Sequence, residues 1–114
     1  MEKIVEQALL YDFYGELLTA HQKSIYEDVV INDFSLSEIA EEKGISRQGV
    51  HDLIKRCNKI LAGYEEKLHL VEKFLVTKDM VNEINELTKE YMSTMNPDNI
   101  VKIQELSNRI LENF

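Results

Sequence analysis

From Val50 to Leu75, apolar side chains recur at alternating steps of four and three: Val50, Ile54, Cys57, Leu61, Tyr64, Leu68, Val71 and Leu75. A strand cannot use this pattern, because it turns successive side chains to opposite faces. A mean spacing of 3.5 residues sustained over more than three heptads requires a helix, and a long one. The spacing predicts one helix from a cap at Ser46 to about Val76, with a bend at Gly63. One Pro and four Gly in 114 residues are too few to punctuate a strand-and-turn fold, so the rest of the chain is expected to be helical too. The heptad rule does not distinguish a seam laid against the chain's own core from one shared with a second subunit. Because the repeat runs on well past the motif described next, a homodimer is expected, with its seam in Tyr64–Leu75 or the C-terminal helices.

Start and stop signals divide the remainder. Residues 3–18 carry a broad apolar stripe through Ile4, Ala8, Tyr11 and Leu18. Thr19 with Gln22, and Ser35 with Glu38, have capping-box spacing and predict helices opening at Ala20 and Leu36. A further helix is expected over about 78–94, with Met80, Ile84, Leu87, Tyr91 and Met95 on one face. Asn96-Pro97-Asp98 then combines a cap, a first-turn proline and an acid suited to a helix start. The expected fold is all-α, one helical domain over 1–114. A helix-turn-helix cluster comes first, then a long helix and C-terminal helices, with 63–114 forming a helical tail half.

The stretch "SEIAEEKGISRQGVHDLIKR" has the spacing of a helix-turn-helix. Ile39 and Ala40 face inward from the first helix, Gly44 makes the turn, Ile45 plugs the elbow, and Ser46 caps the second helix. Val50, Leu53, Ile54 and Cys57 anchor that second helix. Arg47, Gln48, His51, Asp52, Lys55, Arg56 and Lys59 are left outward, where such a helix contacts bases and phosphates or docks a protein. Arg can pair with guanine and Gln with adenine.

Residues 18–62 resemble region four of the bacterial sigma factors, the part that reads the upstream promoter element. Leu18-Thr19 opening a helix, "LSEIAEEKGIS", and a helix starting "RQGV" carry that likeness. The chain is also similar to the YlxM family of small helix-turn-helix proteins, through "DFYGELLT" at 12–19, "SLSEIAEEKGISRQGVHDLIKR" at 35–56 and "YEEKL" at 64–68. That resemblance implies a regulatory role in the signal recognition particle pathway, with components of the particle as partners, on the strength of gene neighbourhood. It departs from the sigma pattern where it matters for DNA. His51 and Asp52 stand where sigma factors typically show Arg and Gln, and a carboxylate facing the groove repels phosphates.

Charge bears on the choice of partner. The net charge is -8, yet residues 35–64 hold five basic and four acidic side chains, against two and seven in 1–34 and six and ten in 65–114. Arg47, Lys55, Arg56 and Lys59 could neutralise about three or four phosphates, which predicts weak, salt-sensitive duplex binding by a monomer. The histidines His21, His51 and His69 lack metal-ligand spacing, and no Gly-rich phosphate loop or nucleophile elbow is present. Neither an enzyme nor a cofactor is expected. Cys57 falls on the apolar seam and reads as a buried, inert thiol of a cytoplasmic protein. No apolar run reaches the ~20 residues that would span a bilayer, and acids scattered through the N-terminus argue against a signal peptide.

Overall fold

The computed structural model describes residues 2–114 and contains helices α1 (Lys3–Tyr14), α2 (Ala20–Tyr26), α3 (Leu36–Lys43), α4 (Arg47–Leu68), α5 (Leu70–Thr94) and α6 (Pro97–Asn113). A 3-10 turn, Gly15–Leu17, follows α1, and a wide π turn, Glu27–Ile31, prolongs α2. Two compact units result, Met1–Val71 and Glu72–Phe114.

In the first unit, α1, α2 and α3 all pack on α4. Its centre is Ile25, Ile39, Ala40 and Val50, with Val29, Leu36, Leu53 and Ile54 closing around them. Cys57 and Leu61 continue the buried stripe of α4. Burial pushes the Cys57 thiol up, so it stays protonated and unreactive. Tyr11 stacks on Tyr26 and Tyr14 on Tyr64, at centroid distances of 5.4 and 6.1 Å. Gly15 permits this packing, because a Cβ there would lie 2.8 Å from the Tyr11 ring.

The helix starts follow the sequence. Thr19 and Gln22 form a complete capping box, Ser35 accepts from the Glu38 N–H, and Asn96 accepts from the Asp98 N–H with Pro97 beside it. The long helix does not. It runs unbroken through Gly63 and stops at Leu68, where His69 turns left-handed at φ 56°, and α5 begins at Leu70. Met95, expected on the α5 face, is a second left-handed stop at φ 57° and is exposed.

The break at His69 is held by side chains from elsewhere. The Tyr14 hydroxyl donates to Glu65 Oε1 at 2.5 Å and accepts the Leu70 N–H at 3.1 Å. Glu65 Oε1 also accepts the Val71 N–H at 2.9 Å. Together they satisfy two of the four orphan donors of the first turn of α5, as a local cap residue would. Tyr14 is 1% exposed, and burial with the Glu65 hydrogen bond raises its pKa.

In the second unit α6 runs antiparallel to the part of α5 in that unit. Asn99 Nδ2 donates to the Leu87 carbonyl at 3.2 Å, and Asn113 Nδ2 to Thr77 Oγ1 at 3.4 Å. Met80, Ile84, Leu87 and Tyr91 are half-buried on one side of this contact, with Ile103, Leu106 and Ile110 on the other.

Candidate functional site

Local chemistry sets the angle between α3 and α4. Gly44 takes φ 68°, the left-handed conformation that closes a helix without a Cβ penalty, and the Ile45 N–H bonds back to the Ala40 carbonyl at 3.1 Å. Ser46 Oγ accepts the Gly49 N–H at 2.9 Å and starts α4. A Cβ on Gly49 would sit 3.1 Å from that oxygen, so glycine leaves the cap room. Ile45 does not plug the elbow as expected. It is 37% exposed, and the half-buried Leu36 packs on the core instead.

At ~100° per residue, Arg47, Gln48, His51, Asp52, Lys55, Arg56 and Lys59 fall within an arc of about 180°. All seven are exposed, and the core residues Val50, Cys57 and Leu61 lie on the opposite side of α4. The arc has two kinds of member. Gln48 Nε2 donates to Asp52 Oδ1 at 2.9 Å, and His51 Nδ1 lies 3.6 Å from the same oxygen. These three side chains engage one another. Arg47, Lys55, Arg56 and Lys59 form no ion pair among the described residues.

Two open grooves flank the arc. One of about 440 Å³ is lined by Leu36, Arg47, Gln48 and His51. The other, of about 590 Å³, is lined by Lys3, Ile4, Gln7, His51, Ile54, Lys55 and Asn58. His51 is the ridge between them, while Arg56 and Lys59 line neither. Lys3 escaped the sequence reading because nothing local links residue 3 to residue 55. Asn58 makes that link, since its Oδ1 accepts from Gln7 Nε2 at 3.1 Å and from the Tyr26 hydroxyl at 2.6 Å. An asparagine directly after a core cysteine was the one available signal.

Residues 1–103 match a protein family described as "Putative helix-turn-helix protein, YlxM / p13 like" (UPF0122). The chain is similar to a UPF0122 protein of Acetivibrio thermocellus, 46% identical over 113 residues that cover 98% of this chain and 97% of the relative. UPF0122 protein YlxM of Bacillus subtilis is 49% identical over 87 residues, covering 76% and 79%. UPF0122 protein YofM of Lactococcus lactis is 41% identical over 116 aligned positions, covering 100% and 98%.

Proposed function

The chain belongs to the YlxM / p13-like family of helix-turn-helix proteins, and from that premise we propose that it is a non-enzymatic regulatory protein acting through the outward face of α4. The observation that carries this reading is the Gln48–Asp52 hydrogen bond. It occupies the amide that could pair with adenine and fixes a carboxylate where phosphate would approach. Such a face is better suited to docking than to reading bases. Four cations on the same arc as that carboxylate, none in an ion pair among the described residues, suit an acidic partner surface. The resemblance to the YlxM family directs the search to components of the signal recognition particle, in the cytoplasm. The test is capture of partners from a cell lysate, with and without nuclease. Particle components recovered after nuclease support the proposal, and their loss from an Arg47→Ala/Lys55→Ala variant assigns the contact to this face. Recovery of nothing but nucleic acid sinks it.

The same four cations favour a second reading, a DNA-binding transcriptional regulator. Binding to random duplex would then be weak and would steepen by about 0.9 in log-log salt slope for each phosphate neutralised. Arg47→Ala and Lys55→Ala should each flatten that slope by about one unit. Asp52→Gln should tighten binding, because it removes a carboxylate and frees Gln48. Anisotropy titrations at three salt concentrations measure all three. No binding at low salt, even with Asp52→Gln, excludes this reading.

A further inference from the structure

The second unit buries one side of each helix and leaves the neighbouring side bare. On α5, Met80, Ile84, Leu87 and Tyr91 point at α6, and Val81 and Met92 lie ~100° round from them. On α6, Asn99, Ile103, Leu106 and Ile110 point back, and Ile100 and Leu111 lie about 100° round in the same sense. Equal rotations on two antiparallel helices bring side chains to the same face of the pair. The four residues therefore share one surface, although 48–76% of each is exposed. The positions between them on that surface are Asn85, Thr88, Gln104 and Ser107. In a chain with 30% charged residues, this face carries no charge along its middle.

We propose that this charge-free face of the α5–α6 hairpin is the contact surface of a homodimer, in which two copies close a four-helix bundle. Two features of the face argue for a second copy as the occupant. First, with the terminal Phe114, the four side chains offer apolar surface on the order of 500 Å². The polar positions between them bring the face towards the ~800 Å² per partner of a standard interface. Second, two such faces meet without stripping water from a charge, which is the composition of an interface centre. A two-fold axis parallel to the helices lays α5 of one copy over α6 of the other.

Sedimentation equilibrium of the full chain at micromolar concentration tests this, with Met92→Glu and Leu111→Glu as variants. Both residues are exposed, so far-UV circular dichroism should show unchanged helicity. The expected result is twice the 13.3 kDa chain mass for the native sequence. Each variant should dissociate roughly thirtyfold more readily, as loss of a central interface residue does. A native chain that stays monomeric overturns the proposal and leaves the face to another protein. A dimer indifferent to both glutamates overturns it as well, by placing the interface elsewhere.

Discussion

The two units use the same residue types to different ends. Among the described residues of Met1–Val71, twelve hydrophobic residues are buried, drawn from four helices, the turn before α2, the π turn and the start of α5. In Glu72–Phe114, Leu106 and the polar Asn99 are the residues buried, while Met92, Met95, Leu111 and Phe114 stand well exposed. Four helices can enclose a side chain on every side. Two helices can enclose only the line where they touch, however apolar they are. An amphipathic pattern therefore specifies a helix and its inner face, but the number of neighbours decides how much of that face leaves water.

Cutting one core side chain in each unit should break the symmetry most strongly. Ile39→Ala removes a fully buried residue of the central cluster and should cost about 2–5 kcal/mol. Ile84→Ala, on the half-buried face of α5, should cost about half as much. Urea melts of both variants make the comparison, and equal losses would mean the hairpin is as well enclosed as the cluster.

The junction at His69 sharpens the contrast with a smaller effect. Tyr14→Phe keeps the ring but leaves the Leu70 N–H and the Glu65 carboxylate each short of a partner, so a loss of about 1–3 kcal/mol is expected. The pH dependence is specific. The folded state raises the Tyr14 pKa, chiefly by burial. Its contribution is thus complete below the ordinary tyrosine pKa of about 10 and is lost as pH climbs through the folded value. Tyr26, also raised by burial, to about 12, adds to the same alkaline loss. Stability should be flat around neutrality and fall above pH ~10, with a shallower fall in Tyr14→Phe. Melts across that range check it.

Two glycines give the smallest and cleanest test. Gly44→Ala forces a Cβ into the left-handed turn and should cost ~1–2 kcal/mol. Gly63→Ala meets nothing within 4 Å in mid-helix and should gain about 0.5–1 kcal/mol. A loss at Gly63 would support the bend expected there from the sequence.

What could be read from sequence was local. Ser35, Gly44, Ser46 and Asn96 act on backbone groups within a few residues, so their roles follow from spacing alone. The outward arc from Arg47 to Lys59 followed from helical period for the same reason. The end of α4 was misplaced because Leu68-His69-Leu70 contains no Gly, Pro or Asn to announce a stop.

The sequence by itself determined that this chain is helical, where the caps at Thr19, Ser35, Ser46 and Asn96 fall, and which side of α4 faces water. Those outcomes rest on bonds and periodicities inside a single turn of chain. The tertiary structure decided that the heptad seam breaks at His69, since the groups that cap α5 come from Tyr14, 56 residues before Leu70, and from Glu65. It also set Lys3 and Lys55 on the lining of one groove and tied Gln48 to Asp52. Such pairings depend on which helices pack together, and that is fixed by the burial of the whole core rather than by any segment of it.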